Sequence, residues 1–283
     1  MARAHHDYQR EGSPVGYYVP GMEPKVSEGN TIILCHRNLN NSKISEKLLL
    51  DDVFLEIDWE GNIVWKLGPD YDVSRELRDI GWIIGPHHAH IIPKGLPGEG
   101  NLLLFDNGGF AGYGIPNPGS TTGLNYARRD YSRVLEIDPI TLEVVWQYTP
   151  SEAGCKLPDR FYRFYSPLIS SAQRLPNGNT LITIGSAGIL IEVTIDHDVV
   201  WEYISPFFLK ELNSNLIYRA YRVHYDWVPQ LEKPEEVPVE KRDVSEFSLS
   251  GRSLKEVNRV IDMADMKPFE ADSQSCVVSD EKK

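Results

Sequence analysis

The sequence predicts an all-β protein, a β-propeller of four-stranded antiparallel blades, three of them clear and a fourth partial, followed by a charged tail of helical or disordered character. Three observations predict it. Runs of β-branched and apolar residues are short and bounded by Gly, Asn, Asp and Pro. These runs recur as an internal repeat. One tryptophan closes each repeat, on its last strand.

The elements follow in chain order. Residues 1–20 read as an N-terminal segment and 21–230 as the propeller domain, with VGYYVPG (15–21) a weak candidate for the first strand of the first blade. GNTIILCHRN, from Gly29, is the next strand. VFLEIDWEG, with Glu56, and NIVWKLG, with Trp65, complete the unit. The second unit opens with HAHIIPKG (88–95). After a short insert, GLPGE, come GNLLLFDNGG, RVLEIDPIT with Glu136 and EVVWQYT with Trp146. The third has SAQRLPNG (171–178), GNTLITIGSAG, ILIEVTIDH with Glu192 and DVVWEYI with Trp201. Each Glu-bearing strand ends in a turn rich in Asp, Asn, Gly or Pro, chemistry suited to tight hairpins. YRAYRVHYDW (218–227) begins a fourth unit. The tail, 231–283, starts with the charged, proline-rich EKPEEVPVEKRD and has Leu254, Val257, Val260 and Ile261 at helical spacing. Three blades and part of a fourth leave open sheet edges, which the tail helix or a homo-oligomer would cover.

Composition bounds the partners. The net charge is −12, without a Lys/Arg run to meet a phosphate backbone, so nucleic acid is not expected. No stretch approaches the ~20 apolar residues of a membrane span, and the polar start MARAHHDYQREGSP has no apolar core of a signal peptide. A cytoplasmic protein is expected from the sequence as it stands, a periplasmic one if the N-terminus is incomplete. Cys35, Cys155 and Cys276 are widely spaced and fit neither a disulfide framework nor a zinc knuckle.

The candidate site is the run GPHHAHIIPKG, where His87, His88 and His90 crowd into four positions. The first strand of a blade lines the axial channel. Alternation along it turns His88 and His90 one way, His87 and Ala89 the other. Equivalent to His88 are Ser171 and Arg219; equivalent to His90 are Gln173 and Tyr221. Polar side chains at one depth in neighbouring blades make a ring at a channel mouth. Between Asp106-Asn107 and Ser132 lies a long insert, GGFAGYGIPNPGSTTGLNYARRDY. It reads either as an aromatic lid carrying Tyr113, Tyr126 and Arg128 towards His88, or as a surface excursion. Three chemistries are compatible with the imidazoles. They could bind metal through His88 and His90, with a third ligand from His36, His224 or Asp106. They could act as nucleophile or acid–base groups beside arginines. Or they could simply donate to backbone carbonyls in a packed channel.

GPHHAHIIPKGLPGEGNLLLFDNGG, RRDYSRVLEIDPITLEVVWQYT, ISSAQRLPNGNTLI and YRAYRVHYDWVPQ together resemble the arylsulfate sulfotransferase family, over roughly residues 29–230. The resemblance implies a six-bladed propeller that moves a sulfuryl group from a phenolic sulfate ester to a phenol through a transiently sulfurylated histidine. Its small-molecule partners would be the aryl sulfate and the phenol, with no cofactor and no metal. The family's histidine in a Gly-x-His-x-Ala setting matches Gly85-Pro86-His87-His88-Ala89, so His87 takes that role by motif. Strand geometry equally favours His88. Asp106-Asn107-Gly108 matches the Asp-Asn-Gly that follows. The family arginine shortly after it has no counterpart in 110–119, leaving Arg128, Arg129 or Arg133 to substitute. Relatives carry a further segment before the Leu-Gly-Pro-Asp-Tyr run, bearing a histidine. Here NIVWKLGPDY runs straight through. The rival reading is a non-catalytic binding or assembly module on the same scaffold; a third is a metal-dependent hydrolase using His88 and His90.

Overall fold

The computed structural model describes residues 3–17, 21–40, 49–71, 73–109, 131–153, 164–209, 214–235 and 237. The chain divides into two units, Met1–Leu231 and Glu232–Lys283. All the regular structure described lies in the first. The expected tail helix falls outside the described residues. Among the described residues no helix is long and apolar enough to cross a membrane.

Among the described residues twelve strands form three four-stranded antiparallel sheets, each of four consecutive strands in chain order. The first sheet is β1 (Arg3–Arg10), β2 (Thr31–Leu39), β3 (Leu49–Ile57) and β4 (Ile63–Leu67). The middle sheet is β5 (His87–Ile91), β6 (Leu102–Asp106), β7 (Arg133–Ile137) and β8 (Val144–Tyr148). The third is β9 (Ser171–Arg174), β10 (Thr180–Ile184), β11 (Ile189–Val193) and β12 (Val199–Ile204). A short helix, α1 (Arg75–Ile80), links the first two sheets; Ser74 caps it by accepting from the Leu77 N–H at 3.2 Å.

The N-terminal boundary needs correction. The first strand is not 15–21 but Arg3–Arg10, so the segment read as lying before the sheets supplies an edge of the first one. β1 runs beside β5, and β9 beside β5 and β6, so the first strands of the three sheets are neighbours.

The repeated residues prove to be one set of bonds made three times. Asn30, Asn101 and Asn179 each donate a side-chain N–H to the glutamate on the next strand of the repeat: Glu56 at 2.7 Å, Glu136 at 2.6 Å and Glu192 at 2.6 Å. That bond ties each Gly-Asn turn to the neighbouring strand and explains why asparagine and glutamate recur together. The tryptophans join one sheet to the next. Trp65 Nε1 donates to Pro139 O at 2.9 Å, and Trp146 Nε1 to Ile195 O at 3.0 Å, the same place in two successive turns. Trp201 closes the third sheet and stays 39% exposed, against 7% for Trp146.

Both faces of the middle sheet are covered. Leu102, Leu104, Leu135 and Ile137 pack with Leu34, Phe54 and Leu67 of the first sheet. Leu103, Phe105, Val134 and Trp146 pack with Ala172, Ile182 and Ile191 of the third. This is why β6 reads as an unbroken apolar run rather than an alternating one. The packing reaches the GLPGE insert: Gly98, at φ 82°, lies so close to the Glu136 carboxylate that any Cβ would collide with it.

Residues 218–222 behave as a further first strand without entering a sheet. Gln9 on β1 clamps the backbone of Ile91, donating to its carbonyl at 3.0 Å and accepting from its N–H at 2.6 Å. Gln173 on β9 does the same to Arg222, at 3.0 and 2.7 Å. Arg174 bonds Glu136 and lies 5.1 Å over the Trp146 ring. Arg222 meets Glu192 at 3.0 Å and lies 5.0 Å over Trp201. Each arginine reaches back to the glutamate and tryptophan of the preceding sheet.

Candidate functional site

Strand β5 does not alternate as the sequence suggests. Its register against β6 slips between His87, opposite Phe105, and His90, opposite Leu103. One extra residue is a β-bulge, and it puts His87 and His90 on one face. His88 absorbs the bulge with φ 53°, a left-handed backbone in which histidine is several-fold enriched among non-glycine residues. Of the expected pairs, His87 with Ala89 is overturned: Ala89 packs in the core with Leu102 and Leu104, while His87 stands opposite Phe105, whose side chain belongs to the other core. The same backbone feature marks the neighbours, at His6 (φ 56°) in β1 and Ser170 (φ 87°) just before β9.

His88 and His90 are both committed to the interior. His88 Nδ1 donates to Ala172 O at 2.8 Å, and Nε2 accepts from the Tyr221 hydroxyl at 3.1 Å. His90 Nδ1 donates to His88 O at 2.9 Å, and Nε2 accepts from the Tyr17 hydroxyl at 2.9 Å. That hydroxyl in turn accepts from the Arg174 N–H at 2.8 Å. Their rings lie 4.3 Å apart, and both residues are buried. Burial pushes His90 down to about 4 and His88 well below the ordinary histidine value, so both are neutral. These two rings therefore have no free nitrogen for a metal, and the metal reading of the His88–His90 pair is not supported.

His87 is different. Its Nδ1 faces Asn107 Oδ1 at 2.9 Å and Gly85 O at 3.2 Å, two acceptors, so Nδ1 carries the proton. Nε2 then holds the lone pair, and it has no hydrogen-bond partner among the described residues. Asn107 is itself fixed, donating to Ser166 O at 2.7 Å and Ile169 O at 2.8 Å. Burial lowers the His87 pKa against the opposing pull of Asn107, leaving the ring neutral near pH 7. Beside it stand His6, ring to ring at 4.3 Å, and Tyr218 at 6.4 Å; the Tyr218 hydroxyl bonds His6 Nδ1 at 3.1 Å.

A buried charge pair braces this corner. Asp7 accepts from the His88 N–H at 2.6 Å and pairs with Arg219. Arg219 also donates to the Tyr221 hydroxyl at 3.2 Å, while its Nε is buried without a partner among the described residues. Of the other residues singled out in the sequence, Asp106 and Arg133 form a strut. Arg133 Nε donates to Asp106 at 2.8 Å, and its other nitrogens donate to the carbonyls of Ile80, Gly81 and Trp82 at the end of α1. Arg133 therefore secures that helix end and bonds none of the histidines. Ser171 is buried and bonds Thr183 at 2.9 Å. Tyr113, Tyr126 and Arg128 lie outside the described residues, as does most of the expected lid. An open cavity of about 470 Å³, lined by Arg133, Trp146, Glu152 and His197 among others, shares only Arg133 with these candidates.

Sequence reasoning missed His5, His6, Asp7, Asp52 and Tyr17. A signal was present: Ala4-His5-His6-Asp7 opens the first unit as Pro86-His87-His88-Ala89 opens the second. His5, His36 and Asp52 converge across β1, β2 and β3 with their ligand atoms within 4.8 Å of one another, among the described residues a possible metal cluster. Although burial favours the protonated acid, the His36 and His5 contacts hold the Asp52 carboxyl at about 2.

Fold and site together define an all-β repeat protein with a histidine cluster where the first strands of successive sheets meet. Residues 51–219, more than half of the chain, match the arylsulfotransferase (ASST) family, and the chain belongs to that family. No curated protein matches it. The matched stretch contains His87, Asn107 and Arg219 but begins after β1 and β2, which carry His5, His6 and His36.

Proposed function

We propose that the protein transfers a sulfuryl group from a phenolic sulfate ester to a phenol, with His87 Nε2 as the nucleophile. The observation that carries this reading is the unequal treatment of the three imidazoles. Only His87 has its proton fixed at Nδ1 by Asn107 and Gly85 while Nε2 is left without a partner among the described residues. A neutral imidazole so oriented is the form that attacks sulfur. In the first half-reaction the Nε2–S bond forms as the S–O bond to the phenol breaks, and the departing phenoxide takes a proton from water. In the second, the acceptor phenol gives its proton to the hydroxide left by the first, its oxygen bonds sulfur, and the N–S bond breaks with its electron pair returning to Nε2. Tyr218 and His6 border the same space.

A propeller belongs to the same proposal. Its support is the adjacency of β1, β5 and β9, the repeated tryptophan joints, and the clamping of 218–222 beside β9. One observation favours the rival, a binding module without catalysis. Arg133 and Arg219, the candidate arginines among the described residues, are already paired with Asp106 and Asp7. A sulfuryl oxygen would have to share them.

The deciding experiment is incubation with a chromogenic aryl sulfate, followed by peptide mass mapping in alkaline conditions that preserve sulfohistidine. Phenol release with an 80-dalton adduct (roughly the mass of one sulfuryl group) on His87 supports the transferase. Binding of the ester without release or adduct leaves the module reading in its place.

A further inference from the structure

We propose that His5, His36 and Asp52 form a binding site for a zinc-class divalent cation, with three protein ligands and at least one open position. The three residues sit side by side on consecutive strands, with His36 directly opposite Asp52 in the β2–β3 ladder and His5 two residues along β1 from Arg3, the partner of His36. Two imidazoles and a carboxylate are the donor set that suits zinc and its neighbours, not calcium or magnesium.

The distances fit. His5 Nε2 and His36 Nδ1 lie 3.1 and 2.9 Å from the same oxygen, Asp52 Oδ1. In a tetrahedral site with metal–ligand bonds of ~2.0–2.1 Å, ligand atoms are separated by about 3.3–3.4 Å. These two edges of the triangle are within a few tenths of an ångström of that separation, and all three ligand atoms lie within 4.8 Å of one another.

The bonding also lacks a closed account without an ion. His5 has a side chain only 12% exposed, and its Nε2 meets the same Asp52 oxygen that His36 already bonds, off the alignment of a good hydrogen bond. Two imidazoles crowded onto one carboxylate oxygen in a buried corner ask for an explanation, and a shared ion is one. The His5 and His36 rings are stacked, with centroids 3.6 Å apart and planes within 12°. The remaining oxygen of Asp52 accepts from the Gly85 N–H at 3.0 Å, the outer bond that orients a ligating carboxylate.

The place gives the site its use. The His6 ring lies 4.9 Å from His5 and 4.3 Å from His87, so a cation here stands one ring away from the candidate nucleophile. It would draw an anionic group towards that corner. The ion site itself does not depend on sulfuryl transfer, and its test uses no aryl sulfate.

The test is titration of the full, chelator-stripped chain with Co²⁺, read by visible absorption, with Zn²⁺ as competitor and elemental analysis as the count. One equivalent with the intense bands of four-coordinate Co²⁺, displaced by Zn²⁺, is expected. His36→Ala should weaken binding at least ~10-fold. His36 is the preferred variant because its side chain is 34% exposed, and Asp52→Asn serves as the second, with circular dichroism verifying that each folds. His224→Ala, an exposed histidine outside the triad, should bind as the parent does. No bound ion at micromolar metal, or undiminished binding in folded His36→Ala, would overturn the site.

Discussion

His87 and His90 lie three residues apart on β5, and the first keeps an unpartnered Nε2 among the described residues while the second has both nitrogens bonded to protein. The difference lies in the neighbours. His90 meets a backbone carbonyl at Nδ1 and a tyrosine hydroxyl at Nε2; His87 meets Asn107 and the Gly85 carbonyl, both at Nδ1. Identical side chains in one short run have thus been divided between holding the inner strands together and presenting a lone pair. A histidine-rich motif is not one site: its members differ in which ring nitrogens the protein has already bonded.

The sharpest way to break this comparison is His87→Ala. It should lower aryl sulfate turnover on the order of 10³-fold or more, with the protein still folded. Turnover within tenfold of the parent, measured as phenol release, would move the nucleophile elsewhere. His90→Ala should act on stability instead. It leaves the Tyr17 hydroxyl without its acceptor in a dry interior and opens a cavity, a loss of about 2–4 kcal/mol in urea unfolding. A change below half a kilocalorie would show that the buried network carries no weight.

Acidity offers a third test. His90 is held at about 4 by burial, and His88 is depressed in the same direction, beside the Tyr17 and Tyr221 hydroxyls and the Asp7–Arg219 pair. Both are neutral in the folded and unfolded chain above pH ~6.5. As pH falls below that, the unfolded chain takes up protons that the folded one refuses, so stability declines by up to ~1.4 kcal/mol per pH unit for each histidine. For His90 the decline ends near its folded value of about 4. Denaturant unfolding at pH 7.5, 6 and 5 measures it above the main carboxylate range; a flat profile would contradict the buried neutral pair. The mildest change is Asn107→Leu. It frees the His87 ring to rotate and to change tautomer, for an expected ~10–100-fold loss in kcat with less effect on KM. Nitrogen chemical shifts of the His87 ring should report the altered tautomer.

The repeat was legible because glycine-asparagine, glutamate and tryptophan are partners in recurring bonds, and a bond that recurs at fixed spacing leaves fixed letters. The first strand of the first sheet was not. Its inward residues include Asp7 and Gln9, polar groups that bond neighbouring inner strands, so it lacks the apolar alternation that marks a strand. The roles of the histidines were unreadable for a related reason. A period of two assumes regular pleating, and the left-handed turn at His88 removes it. Motif matching gave His87 and alternation left His88 equally good; a period of two has no place for the bulge between His87 and His90. Arg133, a candidate by sequence, donates to Asp106 and to a helix end that the sequence reading did not contain.

The tryptophan joints have a consequence for how such a chain can change over time. Trp65 and Trp146 each reach one carbonyl in the sheet that follows, and the same contact serves both joins. Where every coupling is of one kind and only between adjacent members, a module can be gained or dropped without redesigning those that stay. Number then becomes a variable that duplication and deletion can explore, while the first strand of each sheet can be rewritten a few letters at a time.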